Sequence, residues 1–118
     1  MKQQQALTAY TTIIGLGKRA TGKSAFALFK LKSRLKELVD FQSEEEMKLI
    51  EKHGGKLEEN GFVTFKNDEE KAKFVEERRE LANMDIDPEI APVKIDPEQI
   101  PDINIDEIEA LNGFVEFE

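Results

Sequence analysis

The chain has no cysteine, which excludes disulfides, thiolate zinc sites and cysteine nucleophiles. It has one histidine, His53, so no multi-histidine metal cluster can form within one copy. Aromatic residues make up only 8% of the 118 residues. No stretch approaches the roughly 20 apolar residues that a membrane-spanning helix needs. The opening MKQQQALTAY has no long apolar core or small-residue cleavage site and does not read as a secretory signal. The absence of cysteine fits a reducing compartment, and the expectation is a soluble, cytoplasmic protein.

Hydrophobic residues make up 39% of the chain, enough for a modest core. At this length a large share of the surface stays exposed, which makes burial against a partner an attractive source of stability. Neither an internal repeat nor a polar linker divides the sequence, so residues 1–118 are expected to form one domain.

The charge is divided unevenly. Residues 1–39 hold eight basic side chains and one acid, Glu37, for a net of +7. Residues 40–118 hold nine basic groups against 24 acids, a net of −15, which together give the overall −8. Such asymmetry biases orientation and partner choice. Three uses are open: the two halves pack on each other, the basic part meets nucleic acid, or the acidic part engages a basic protein.

Hydrophobic spacing predicts a mainly α fold: a helical hairpin with a small β-hairpin insertion and an extended acidic C-terminal arm. Leu7, Tyr10 and Ile14 suit a short helix over residues 6–16, with a strand over residues 10–14 as the alternative. Leu28, Leu31, Leu35 and Leu38 mark a long helix, or a broken pair, from Ser24 to His53, with Ser24 or Thr21 as cap. Gly54 and Gly55 would end it. Asn60-Gly61 before FVTF signals a hairpin. Asn67 and Glu70 are spaced as a capping box for a helix to about Asn83. The segment 84–104 is divided by Pro88, Pro92, Pro97 and Pro101. Its aliphatic residues Ile86, Ile90, Val93, Ile95, Ile100 and Ile103 are the expected protein-interaction anchors, on the chain's own helices or a neighbour's. Asn104 and Glu107 would start a last helix through Leu111, and GFVEFE would finish as an edge strand or an oligomer contact.

GKRATGKS, residues 17–24, completes the phosphate-loop pattern GxxxxGK[ST]. In such a loop backbone amides cradle phosphates, Lys23 reaches the terminal phosphates and the Ser24 hydroxyl binds magnesium. TTIIG before it would have to be a strand. No later segment reads as a buried parallel strand ending in a metal-binding aspartate, so a basic turn between helices is the preferred reading. DINIDE resembles half a calcium loop, but Glu107 stands where glycine is required and Gly113 where a bidentate glutamate is required. His53 beside Gly54 reads as a helix-terminal residue. Lys23, Lys30 and Arg34 are possible anion contacts needing only charge and reach. Nothing among them supports sequence-specific nucleic-acid reading, and no cofactor is expected.

YTTIIGLGKRATGKSAFALFKLKSRLKEL, residues 10–38, resembles the opening of a family of small uncharacterised proteins from bacteriophages and prophages of Gram-positive bacteria. Gly22, Lys23 and Ser24 correspond to its basic turn, and Phe26, Leu28, Leu31 and Leu35 to its long helix. KIDPEQIPDINIDEIEAL is similar to its closing acidic-aliphatic stretch. The resemblance implies a phage origin, a bacterial host and no established catalytic residue. The resulting expectation is a non-enzymatic phage accessory or assembly protein that works through protein contacts, as a homo-oligomer or with another partner. The alternatives are an acidic inhibitor of a host DNA-binding or defence protein, and a phosphate-loop nucleotide-binding protein.

Overall fold

The computed structural model describes residues 1–86 and 90–117. Pro88, one of the four expected dividers, and Glu118, the end of GFVEFE, lie outside the described residues. The fold is mainly α. Helix α1 (Gln3–Leu16) runs into α2 (Gly22–Lys52), followed by strands β1 (Lys56–Leu57) and β2 (Val63–Thr64) and helix α3 (Asp68–Ala82). Then come β3 (Val93–Ile95), a 3-10 turn (Pro97–Gln99), α4 (Ile105–Ala110) and β4 (Val115–Phe117).

Helix α2 is a single unbroken element of 31 residues. At 1.5 Å per residue it is about 46 Å long, which accounts for most of the molecule's 51 Å long axis. Leu28, Leu31 and Leu35 are buried along it as their spacing requires, and Leu38 packs at the edge of the same core.

Helix α1 presents a different face from the one its larger residues suggest. Ala6, Ala9, Ile13 and Leu16 are buried, while Ile14 is 42% exposed and Leu7 and Tyr10 are half-buried. The two alanines have little side chain to hold the helices apart, so α1 packs closely against α2. Gln3 is buried with them, and its Nε2 donates to the Leu38 carbonyl at 2.8 Å.

The far half of α2 carries a second, smaller cluster. α2 ends at His53, and Gly54 follows at φ +66°. The β1–β2 hairpin closes through Gly61 at φ +85°, with the Gly61 N–H donating to the Glu58 carbonyl and the Glu58 N–H to the Phe62 carbonyl. This is a type I turn with a glycine bulge rather than a two-residue hairpin loop. Phe65 then lies 5.0 Å from Phe74, centroid to centroid. Helix α3 begins at Asn67, whose side chain accepts the Glu70 N–H at 2.8 Å.

The C-terminal arm folds back on its own chain. The Ile86 N–H donates to the Met1 carbonyl, and the Gln3 N–H to the Met84 carbonyl. Strands β3 and β4 pair in parallel, Val93 opposite Val115 and Ile95 opposite Phe117. Sequence reading finds no pairing here, because three-residue strands near prolines are too short to show alternation. Ile95 and Ile100 are fully buried in the main core with Leu28, Leu31 and Phe114, and Ile86, Ile90, Val93 and Ile103 pack against it. Of the two surfaces expected for these anchors, the chain's own helices or a neighbour's, they pack on the chain's own. Helix α4 starts as expected, Asn104 and Glu107 forming a reciprocal capping box.

His53 ties the far end of α2 to α3. Its side chain is 6% exposed, with Nδ1 3.0 Å from Glu70 and Nε2 3.1 Å from Glu77. Hydrogen bonds donated to Glu77 and Glu70 raise its pKa above the ordinary value. The Glu70 carboxyl is held low chiefly by His53, and that of Glu77 by Lys52 and His53; Lys73 lies 3.7 Å from Glu70. A raised histidine stabilises the fold fully below its unfolded pKa of 6.5 and loses that contribution as pH rises through the folded value. The lowered carboxylates contribute fully above 4.5 and lose their contribution as pH falls through their folded values. The clamp is therefore strongest between those limits. The wild-type melting temperature should fall from pH 6 into the alkaline range, and His53→Gln should flatten that slope; equal slopes for both proteins would dismiss the clamp.

Gly55 offers a packing test. A Cβ there would stand 2.8 Å from Phe65, 3.0 Å from Ile50 and 3.1 Å from Val63. Gly55→Val should cost about 1–3 kcal/mol in urea unfolding by overpacking this cluster; an unchanged midpoint would mean that the hairpin does not seat on α2.

Candidate functional site

The GKRATGKS segment forms a helix–turn–helix link. TTIIG lies inside α1 instead of forming a strand, and Gly17 closes that helix. Thr21 is extended, and Gly22 takes φ +62°, a left-handed value that favours glycine. The backbone then enters α2.

The C-terminal arm occupies the start of α2. The first turn of a helix leaves N–H groups without intrahelical partners, and these are the donors a phosphate would use. Here the Ser24 N–H donates to Gln99 Oε1 at 3.0 Å, and the Thr21 N–H to the Gln99 carbonyl at 2.9 Å. The Ser24 hydroxyl, 1% exposed, accepts the Asp96 N–H at 2.8 Å. Asp96 in turn caps the 3-10 turn through the Glu98 N–H at 2.9 Å. A Cβ at Gly22 would stand 2.7 Å from Gln99 Nε2, so it would push aside the amide that accepts the Ser24 N–H, in addition to straining φ. Thus the serine that the motif would assign to magnesium holds the arm in place.

Other functional candidates have comparable structural places. Asn104, central to the half calcium loop, uses its side-chain oxygen to accept the Glu107 N–H. Glu107 receives two hydrogen bonds from Arg19, at 2.9 and 3.1 Å. No group of three His, Asp or Glu side chains is placed to hold a metal among the described residues. No described helix is long and apolar enough to cross a membrane.

The outer face of α2 is the main chemical feature that sequence reading missed. Phe26 and Phe29 are each 61% exposed. Their rings stack with centroids 6.3 Å apart and planes 21° apart, and Lys30 Nζ lies 5.2 Å from the Phe26 centroid. At about 100° per residue, Phe26, Phe29 and Ser33 follow the solvent side, opposite the Leu28–Leu31–Leu35 stripe. Lys23, Lys30 and Arg34 flank one side of this aromatic strip, and Lys32 and Lys36 the other. A groove of about 390 Å³ is found elsewhere, at the α1–α2–α3 junction, whereas Phe29 lines one of about 380 Å³ with Ile14, Gly17, Lys18 and Lys32.

Most of these cations are not neutralised among the described residues. Of the eight basic residues in 1–39, Lys2 pairs with Asp85 and Arg19 with Glu107. Lys18, Lys23, Lys30, Lys32, Arg34 and Lys36 make no ion pair among the described residues. The possible anion contacts Lys23, Lys30 and Arg34 therefore lie together on one edge of the aromatic strip. The leucine stripe itself held the missing signal, because fixing the inner face puts both phenylalanines in solvent.

Comparisons with family models, curated proteins and solved structures find no match.

The contact between Gln99 and α2 yields a double-mutant cycle. Gln99→Ala should cost about 1 kcal/mol, as loss of a helix cap does. Gly22→Ala should cost more than about 1 kcal/mol, from the left-handed φ together with the clash. Because Gln99→Ala removes the obstructing amide, the two losses should sum to more than the double variant loses. Strict additivity in chemical denaturation would contradict the contact.

Proposed function

We propose that this chain is a non-enzymatic phage accessory or assembly protein acting through protein–protein contacts, with the outer face of α2 as its contact surface. The observation carrying this reading is the stacked pair Phe26 and Phe29, each 61% exposed, set among lysines and an arginine that make no ion pair among the described residues. Exposed aromatic surface rimmed by polar groups is characteristic of interaction sites. Aromatic and arginine side chains are also enriched in the energetic centres of interfaces.

Two further considerations support protein contacts over small-anion chemistry. The amides at the start of α2 already donate to Gln99, and Ser24 is buried against Asp96. A nucleotide would have to displace the arm before using them. Stacked aromatics beside lysine also suit single-stranded nucleic acid, but the overall charge of −8 opposes the long-range approach of a polyanion. A protein presenting acidic and aliphatic side chains satisfies both parts of the face. The phage setting rests on the family resemblance of residues 10–38.

Capture from phage-infected bacterial lysate tests this reading. Tagged wild-type protein should retain phage structural proteins, and Phe26→Ser/Phe29→Ser should lower their recovery about tenfold or more, corresponding to loss of a hot spot. Equal recovery by both proteins would contradict it, as would saturable magnesium-ATP binding abolished by Lys23→Ala.

A further inference from the structure

Helix α4 carries an exposed surface of the opposite character. Ile105 is 73% exposed and Ile108 38%. Asp106 and Glu109 are exposed beside them. Asp102, just before the helix, is also exposed and has φ +58°. Asp102, Asp106 and Glu109 make no ion pair among the described residues. Exposed isoleucines edged by carboxylates are what an aromatic strip edged by lysines would accept.

From this complementarity we infer that the occupant of the α2 face is helix α4 of a second copy of the chain, joined head to tail. Ile105 and Ile108 of one copy cover Phe26 and Phe29 of the next. At about 100° per residue, Asp106 and Glu109 share one edge of the isoleucine pair and approach the lysines along one edge of the strip, with Asp102 extending the acidic edge. The inference rests on the reading of the α2 face as a protein-contact surface and names its partner.

Placement around α1 prevents one copy from satisfying itself. Phe29 and Lys32 share their groove with Ile14 and Gly17 of α1. Asp106 and Glu109 share theirs with Gln4 and Thr8. At about 100° per residue, Gln4 and Thr8 lie on average about 130° around α1 from Ile14 and Gly17. The two surfaces face different directions around α1, so each copy retains one free donor face and one free acceptor face. Such an interface is heterologous and builds an open chain, or a ring when the rotation closes. It also gives a common explanation to the cations of α2 and the acids of α4, which make no ion pair among the described residues.

Salt should affect this assembly in a recognisable way. Each copy has a net charge of −8, so attraction must come from local patches within a Debye length, about 8 Å at physiological ionic strength. Raising sodium chloride from about 0.1 to 0.5 M should weaken association at least several-fold, while the isoleucine–phenylalanine contact preserves some at high salt.

Two face-specific variants test the arrangement by light scattering and sedimentation, with circular dichroism to verify folding. Phe29→Ser/Lys30→Glu removes the α2 face, and Ile105→Ser/Glu109→Lys removes the α4 face. Wild-type protein should grow in mass with concentration over the micromolar range, whereas each variant alone should stay monomeric. An equimolar mixture should stop at two chains, because only one complementary pair of faces survives. A monomeric wild type, a variant that still self-associates, or a mixture that fails to pair would overturn the inference. If the wild type is monomeric but Phe26→Ser/Phe29→Ser still loses captured phage proteins, the second-copy assignment falls and the contact-surface reading stands; if capture is also unchanged, both fall.

Discussion

The structure depends on the meeting of the C-terminal arm with the first turn of α2. Gln99 meets two backbone donors there, one with its side chain and one with its carbonyl, while Ser24 accepts the Asp96 N–H. Unmet donors at a buried helix start are unfavourable, and α2 has no side-chain cap of its own. The arm resolves that problem from 75 residues away. In doing so it places Ile95 and Ile100 against the leucine stripe. The inner face of α2 is thereby covered, and Phe26 and Phe29 are left on the outer face.

Charge follows the same division. The two halves do pack on each other, but among the described residues only Lys2 and Arg19 of the basic end pair with the acidic arm. At the other end of α2, Lys52 and His53 join Glu77 and Glu70 on α3. Those contacts fasten elements together. Among the described residues the cations beside Phe26 and Phe29 make no ion pair, which distinguishes this face from the fastened ends of α2. Single exposed phenylalanines are ordinary; two in contact and ringed by charge form a chemically specific surface.

Much of the helical framework was legible in the sequence because its signals are local. The leucine stripe fixes α2, and Asn67 with Glu70 and Asn104 with Glu107 mark the starts of α3 and α4. The inner face of α1 was not legible, since Leu7, Tyr10 and Ile14 outweigh alanines in a hydrophobic pattern although Ala6 and Ala9 permit the closer packing. The GKRATGKS pattern was visible as a string, but its meaning turns on whether a strand or a helix precedes it and on a glutamine remote in sequence. The β3–β4 pairing was likewise hidden, because it joins two three-residue segments 22 positions apart in register.

The most direct test of the divided α2 helix is residue-resolved NMR of labelled protein across a concentration series at physiological salt. The amide signals of residues 23–36 and 102–109 should shift together as concentration rises, while those of Ile95 and Gln99 remain fixed. Shifts confined to residues 93–100, with residues 23–36 unchanged, would instead make the arm the contact surface and contradict the assignment of the aromatic-basic face.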